Sequence, residues 1–175
     1  NWFLYSGGFD KLGSDVFKRL KRAMDFLISL IILILTLPLT ILIILLLKLT
    51  SRGPIFFSQE RLGENKKPFN IIKFRTMVID AEQAEPKWAE EKDARVTGFG
   101  KILRKTRLDE LPQFINVIKG EMSLIGPRPE REFFIRTLTE KIPFYSLRFS
   151  VKPGITGWAQ VNYRYGSNLE DAIEK

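Results

Sequence analysis

The most constraining feature of the sequence is an apolar stretch, Phe26 to Leu47, made almost entirely of leucine and isoleucine. A helix of this length can cross a hydrocarbon core of about 30 Å. The stretch is too long and too uniform for a signal peptide, and no small-residue cleavage site follows it. Little else in a chain of 175 residues could cover a helix that is apolar all round. We therefore expect it to be embedded in a membrane.

The flanks of this stretch leave its topology open between a spanning helix and a re-entrant one. Basic residues stand on both sides: Lys18, Arg19, Lys21 and Arg22 before it, and Lys48 and Arg52 after it. A spanning helix normally has its basic residues mainly on the cytoplasmic side. Pro38, near the middle, removes a backbone donor and predicts a kink, with Thr36 close enough to bond a freed carbonyl.

The basic cluster before the apolar stretch predicts a helix that lies against an anionic leaflet, at about 1 kcal/mol for each basic residue near the surface. Asp25 follows Lys21 and Arg22 by one turn. We expect it to form an ion pair with one of them on the helix surface.

Charge and composition limit the partners and the chemistry. The formal net charge of +8 predicts an anionic partner: nucleic acid, lipid head groups or a phosphorylated substrate. The basic residues are dispersed among carboxylates without an aromatic-interleaved stripe, so we expect no nucleic acid partner. The chain has no cysteine and no histidine, which excludes disulfides, thiolate nucleophiles, Cys/His zinc sites and a histidine base. Carboxylates, with a hard cation such as Mg²⁺, are the leading option for catalysis.

Two strand-like segments, 55–61 and 69–77, follow the membrane stretch and predict a hairpin across the loop 62–68. On the second strand, Lys73 and Arg75 share one face by period two. Two neighbouring cations suit a phosphate, although a solvated strand face gives the same pattern.

An adjacent acid pair, Asp109 and Glu110, stands near the start of the stretch 106–129. Thr106, with Asp109 three residues on, predicts a capping box, and Pro112 suits a first helical turn. We expect a helix from here to Gly120 with the acids at its N-terminus, where they offset the dipole or help to bind phosphate. A structural and a catalytic role both stay open; in the catalytic one, Asp109 is an ionised nucleophile and Glu110 binds a divalent metal. The predicted buried face is apolar: Leu108, Leu111, Phe114, Ile115 and Ile118.

Arg128 stands between two prolines, Pro127 and Pro129. Prolines restrict the backbone, so the guanidinium is presented with little entropy to lose. Arginine favours bidentate contact with phosphate or carboxylate. A phosphate contact and a structural lock on a carboxylate both fit.

The remaining segments show shorter patterns. They predict a basic helix at 101–105, a mixed helix at 130–148 that packs on the domain or lies in the membrane interface, a turn at 153–158 and a strand at 159–164. The predicted fold class is α+β: a mainly helical, membrane-associated domain with a β-hairpin and interfacial amphipathic helices.

Several motifs together resemble the bacterial sugar transferases, the monotopic polyprenyl-phosphate phosphoglycosyl transferases that initiate exopolysaccharide, O-antigen and glycoprotein glycan synthesis. The resemblance runs from about Val16 to Arg164. The motifs that carry it are Phe17-Lys18-Arg19 with Asp25, the Pro38 segment, Lys73 to Met77, Leu108 to Leu111, Met122 to Pro129 and Pro153 to Gln160.

The resemblance implies a re-entrant, helix-break-helix membrane segment with its break at Pro38. It places the protein in the bacterial inner membrane, with the catalytic domain on the cytoplasmic face. The segments implied are an N-terminal extension or linker (1–15), the basic amphipathic start with the re-entrant helix (16–52), and the catalytic domain (53–175), expected to be truncated at its C-terminus. Many members have serine just before the proline, where this chain has Leu37.

The resemblance also implies a reaction. Asp109 attacks the β-phosphate of a UDP-sugar, UMP leaves, and undecaprenyl phosphate then takes the phosphosugar from the aspartate. Glu110, with Asp109, is associated with Mg²⁺. The implied substrate-binding residues are Lys73, Arg75, Arg104, Arg128 and Arg164. The alternative is a non-enzymatic, basic, membrane-anchored docking module; the sugar, the pathway and the oligomeric state, a homo-oligomer included, stay open.

Overall fold

A computed structural model of the chain describes residues 15–79, 81 and 93–162. The helices in this part are α1 (Asp15–Leu35), α2 (Leu37–Thr50), α3 (Gly98–Thr106), α4 (Gln113–Lys119), α5 (Glu132–Lys141) and α6 (Trp158–Asn162). The strands are β1 (Phe56–Leu62), β2 (Pro68–Phe74), β3 (Ser123–Ile125) and β4 (Gly154–Thr156). Short 3₁₀ turns occupy Glu64–Lys66, Leu108–Glu110 and Tyr145–Ser150. This mixture of helix and strand confirms the predicted α+β class.

The apolar stretch is divided between α1 and α2, which are bent by 60° at Thr36. Pro38 lies in the first turn of α2, where its missing N–H costs no helical bond. The N–H and the hydroxyl of Thr36 both donate to the carbonyl of Ile32, at 2.9 and 2.7 Å. The helix-break-helix arrangement is thus confirmed, with the break just before Pro38. Within the described residues no single helix is long and apolar enough to cross a membrane, whereas this bent pair passes that test together.

The predicted hairpin is confirmed. β1 and β2 pair antiparallel, from Phe56 opposite Phe74 to Leu62 opposite Pro68. The two faces of β2 then contribute to separate cores, because successive strand side chains point in opposite directions.

Two apolar clusters hold the hairpin in place. One joins α2 to β2 and α3: Ile43, Leu47, Phe74 and Leu103. The other joins β2 to α4 and β3: Phe69, Ile71, Val117 and Met122. Since α2 belongs to the first cluster, the apolar stretch and the hairpin share a core.

Helix α1 is tied to α4 and β3 by polar contacts. Arg22 donates to two carbonyls in the last turn of α4. Lys21 pairs with Asp25 at 3.1 Å, and Asp25 accepts from the Leu124 N–H at 3.3 Å. The pairing of Asp25 is confirmed, but its predicted place on the helix surface is wrong, because Asp25 is buried against β3. Two of the cations predicted to face the leaflet thus contact protein.

A small parallel sheet, which no periodicity predicted, joins the C-terminal segment to the residues after α4. β3 and β4 pair Ser123 with Gly154 and Ile125 with Thr156. Strands of three residues are too short to show an alternating pattern.

Two predictions for the C-terminal part need correction. Residues 159–162 of the predicted strand 159–164 belong instead to α6, in which the Val161 N–H bonds the Gly157 carbonyl at 3.2 Å, and the last two residues lie outside the described part. The helix predicted at 130–148 ends at Lys141 as α5, because Pro143 disfavours helical backbone in the residue before it.

Candidate active site

Asp109 and Glu110 lie in the 3₁₀ turn Leu108–Glu110, between α3 and α4. Arg107, with left-handed backbone (φ 59°), ends α3 and begins this turn. The predicted capping box is wrong, because Thr106 belongs to the last turn of α3 and its hydroxyl donates to carbonyls of that helix. The acids therefore precede α4 and do not stand at an open helix N-terminus. We call residues 108–110 the dyad turn.

The buried face of α4 also differs from the prediction. The residues that α4 buries are Gln113, Asn116 and Val117. Of the predicted row, Leu108 and Leu111 pack partly buried against the first apolar cluster, Phe114 and Ile118 are half-buried, and Ile115 is exposed. The carboxamide of Asn116 bonds the backbone of β2 at Asn70 and Ile72, which turns this face toward the hairpin. Gly120 ends the helix as predicted, in left-handed geometry (φ 87°).

Two cations hold Glu110. Its Oε1 accepts from Lys73 Nζ at 2.9 Å and from Arg128 Nη2 at 3.3 Å. Burial alone would raise the pKa of Glu110, but Lys73 and Arg128 outweigh that effect and hold its pKa at about 2. Glu110 is therefore ionised and neutralised, and the arginine–carboxylate lock that the sequence left open is present.

Asp109, one residue away, has different surroundings. Its Oδ1 is buried and has no hydrogen-bond partner within the described part of the chain. Burial raises the pKa of Asp109, and Lys73 opposes this to a smaller extent. This rise in the pKa of Asp109 is opposite to the lowering that a helix N-terminus would cause. Asp109 is therefore the less strongly paired carboxylate of the two.

Lys73 and Arg75, predicted to share one face, have different partners. Lys73 reaches Glu110, whereas Arg75 Nη2 donates to Ser51 Oγ at 2.8 Å, at the end of α2. β2 ends one residue before Arg75, so the alternation that predicted a shared face stops there. Gly53 lies against the buried guanidinium, and a Cβ at Gly53 would come within 2.2 Å of its Nη1. The structure does not bring Arg75 beside the acids, and its part in substrate binding stays a prediction.

The other predicted arginines divide in the same way. Arg104 lies near the dyad turn, since its charge lowers the pKa of Asp109, and its Nε donates to Thr76 Oγ1 at 2.8 Å. Arg128 contacts Glu110 directly. Arg164 lies outside the described residues. The residues predicted from the sequence did not include Arg107, whose charge lowers the pKa of both acids. Its position close to the acids in the sequence could have indicated this.

The loop that carries Arg128 is supported by residues that sequence patterns did not single out. The main-chain carbonyl of Arg128 accepts from Arg148, whose burial lowers its own pKa. The same loop lies directly on β4, because a Cβ at Gly154 would come within 2.1 Å of the Gly126 nitrogen. Arg148 is separated from the loop by α5 in sequence, so only the fold reveals this support.

Comparison with known proteins gives one consistent result. A family model for bacterial sugar transferases matches residues 16–175. The UDP-N-acetylgalactosamine-undecaprenyl-phosphate N-acetylgalactosaminephosphotransferase of Aeromonas hydrophila is 47% identical over 160 residues, 91% of this chain and 38% of that protein. The UDP-glucose:undecaprenyl-phosphate glucose-1-phosphate transferase of Escherichia coli (strain K12) is 44% identical over 162 residues, 93% of this chain and 34% of that protein.

A shorter relative matches over most of its own length. The uncharacterized sugar transferase EpsL of Bacillus subtilis (strain 168) is 39% identical over 155 residues, 89% of this chain and 74% of that protein. The match to the family model covers nearly all of the sequence, including the hairpin, the dyad turn and the Arg128 loop. The chain therefore belongs to the bacterial sugar transferase family.

Proposed function

We propose that the protein transfers a sugar-1-phosphate from a UDP-sugar to undecaprenyl phosphate and releases UMP, as the first step of bacterial surface glycan synthesis. One observation carries the proposal: two adjacent buried carboxylates, Asp109 and Glu110, have opposite electrostatic surroundings. The names of the two long relatives describe such transfers and support the substrate classes. Those names specify different sugars, so we propose the donor only as a UDP-sugar.

In the proposed first step, an oxygen of Asp109 attacks the β-phosphorus of the donor. The bond from that phosphorus to the α,β-bridging oxygen breaks, UMP leaves with the electron pair, and the phosphosugar stays on Asp109 as an acyl phosphate. In the second step, a phosphate oxygen of undecaprenyl phosphate attacks the same phosphorus, and Asp109 leaves as a carboxylate. The covalent intermediate lets the water-soluble donor depart before the lipid acceptor arrives.

The cations around the dyad turn suit this chemistry. Lys73 and Arg128 neutralise Glu110, and we propose that with Arg104 they also face the phosphate oxygens. Arg75 and Arg164 remain proposed contributors to substrate binding.

We also propose that Glu110 and Asp109 hold Mg²⁺ together with the donor diphosphate. Asp109 Oδ1 is a buried acceptor with no protein partner in the described residues. Those residues contain no group of three His, Cys, Asp or Glu that could hold a metal. This donor set fits Mg²⁺ shared with substrate phosphates, which needs only one or two carboxylates. When bound, Mg²⁺ neutralises charge that develops on the phosphoryl oxygens.

We propose that α1 and α2 form a re-entrant segment in the bacterial inner membrane, with the dyad turn on the cytoplasmic side. The 60° bend and the basic residues at both ends support this topology. Exposed apolar side chains on both helices suit contact with lipid: Leu27, Ile31, Ile34, Leu42 and Leu45. The segment would place the site where the acceptor head group lies.

The test is a half-reaction without lipid. The chain is purified in detergent and incubated with Mg²⁺ and each of a panel of UDP-sugars; UMP release and the protein mass are then measured. We expect one sugar to give UMP and a phosphosugar adduct on Asp109, and Asp109→Asn to give neither. Glu132→Gln, which changes an exposed acid paired with Arg136, should behave as wild type.

Two results would contradict the proposal: no adduct on the wild type with any sugar, or an adduct that survives Asp109→Asn. A docking module instead predicts that Asp109→Asn keeps cellular function and that neutralising Lys18, Arg19, Lys21 and Arg22 abolishes it.

A further inference from the structure

Within residues 15–79, 81 and 93–162, strand β2 has an edge without a strand partner, because its sheet contains only β1 and β2 there. Asn116 of α4 covers this edge. Its Oδ1 accepts from the Ile72 N–H at 3.1 Å, and its Nδ2 donates to the Asn70 carbonyl at 2.7 Å. A residue of a neighbouring strand would use one donor and one acceptor in the same way. The carboxamide of Asn116 thus takes the place of one residue of a third strand.

A third hydrogen bond fixes this carboxamide. Nδ2 also donates to Glu121 Oε2 at 2.7 Å. The left-handed turn at Gly120 brings Glu121 back onto the helix end, where its N–H bonds the Asn116 carbonyl at 3.0 Å. Asn116 is fully buried with both donors used, so its side chain has one stable orientation.

The Asn116 contact lies next to the site. Asn116 bonds Ile72, which immediately precedes Lys73 in β2. Asn116 belongs to α4, which follows the dyad turn that holds Glu110. The carboxamide bonds and the 2.9 Å Lys73–Glu110 pair are therefore neighbouring contacts between β2 and the segment from the dyad turn through α4. A slip of α4 along β2 would move Glu110 relative to Lys73.

We propose that Asn116 is a positioning residue for phosphosugar transfer: its carboxamide, acting as part of a third strand, sets the register between α4 and β2 that keeps Lys73 on Glu110. The inference rests on the proposed function. Asn116 acts through Lys73 and touches no reacting atom.

A double-mutant cycle tests this coupling. Asn116→Ala and Lys73→Met are compared singly and together, with the rate of adduct formation from the UDP-sugar as readout. We expect Asn116→Ala to slow adduct formation about 100-fold, because a small misplacement has that effect at a catalytic centre. If Asn116 acts through Lys73, adding Asn116→Ala to Lys73→Met costs less than about a further threefold. Multiplicative losses would overturn the proposal.

Val117→Ala is the matched control for general loosening of α4, since Val117 is the buried neighbour in the apolar cluster. It should lower the thermal midpoint, and any loss of rate should multiply with that of Lys73→Met. Coupling of Val117→Ala to Lys73→Met as strong as that of Asn116→Ala would overturn the proposal, because the effect would then not be specific to the carboxamide.

Glu121→Ala covers the case in which Asn116→Ala shows no cooperative unfolding. It removes only the third hydrogen bond of the carboxamide, and we expect adduct formation to be about tenfold slower. In the double variant with Lys73→Met, the combined rate loss should again be smaller than the product of the two single losses. Rate losses that multiply fully in this pair overturn the proposal. If the wild type forms no adduct, both the proposed function and this inference are wrong. If the wild type forms the adduct but the rate losses of the double variants multiply fully, only this inference is wrong.

Discussion

At the scale of single residues, the site depends on a contrast between neighbours. Glu110 accepts from two cations through one oxygen, while Asp109 keeps a buried oxygen without a partner in the described residues. Removing one partner of a buried ion pair leaves the other charge uncompensated and destabilises the fold, whereas an unpaired, desolvated carboxylate itself costs stability that function can require. Stability measurements can therefore distinguish the two acids.

Asp109→Asn and Glu110→Gln should change stability in opposite directions at neutral pH. Asp109→Asn removes a charge that burial disfavours, and should raise the thermal midpoint while abolishing adduct formation. Glu110→Gln leaves Lys73 and Arg128 without their counter-charge, and should cost roughly 2 kcal/mol of unfolding free energy. Thermal unfolding of both variants in the same detergent measures these changes. A lower midpoint for Asp109→Asn would mean that burial does not disfavour the charge of Asp109.

The depressed pKa of Glu110 predicts a pH dependence of stability. The folded-state pKa of about 2 lies below the ordinary value of 4.5, so the stabilisation is complete above about pH 4.5 and is lost as the pH falls toward 2. The difference in unfolding free energy between wild type and Glu110→Gln should therefore shrink from about pH 5 to about pH 3. Urea titrations at several pH values measure it. A difference that stays constant with pH would mean that Lys73 and Arg128 do not hold Glu110 ionised.

Sequence patterns identified the acid pair and allowed for the contact of Arg128 with a carboxylate, but they did not predict how these residues are placed. The Arg128 lock and the acid pair come from residue types in a recognisable order. The burial of both acids, the separation of Lys73 from Arg75 and the support from Arg148 depend on contacts between distant segments, which local patterns do not contain.

At the scale of elements, the short β3–β4 sheet places the Arg128 loop. Gly154 leaves no room for a side chain, because a Cβ would come within 2.1 Å of the Gly126 nitrogen. At Gly98, the first residue of α3, a Cβ would meet nothing within 4 Å.

Gly154→Ala should therefore displace the loop and slow adduct formation about 100-fold or more, while Gly98→Ala should leave the rate unchanged. Adduct formation and thermal midpoints of both variants check this. Equal behaviour of the two alanine variants would show that close approach at β4 does not position Arg128.

The elements also show where periodicity succeeds. The hairpin was predicted because two segments of strand length with clear turn residues pair locally. The buried face leading into α4 was predicted only in part. Leu108 and Leu111 do pack on an apolar cluster, but hydrogen bonding to the edge of β2 buries the polar Asn116. The residues of α6 have strand-like composition, but the helix forms from local bonds, and composition is a weak guide in a segment so short.

At the scale of the whole molecule, the proposed re-entrant topology of α1–α2 predicts that both ends of the apolar segment face the same side of the membrane. The chain has no cysteine, so Lys18→Cys and Arg52→Cys each introduce a unique label site at an exposed position. In intact spheroplasts, a membrane-impermeant maleimide should label neither, and permeabilisation should expose both. Labelling of one site in intact spheroplasts would mean a spanning segment.

The contacts of Arg22 and Asp25 have a consequence for how this protein can be handled. A helix that served only as a membrane anchor could be deleted or replaced by another anchor without affecting the rest of the fold. In this chain Arg22 covers the end of α4, Asp25 holds β3, and α2 completes the apolar cluster around Phe74. A fragment that begins at residue 53 would lose part of its own interior, so we expect that it cannot be prepared as an independent soluble enzyme.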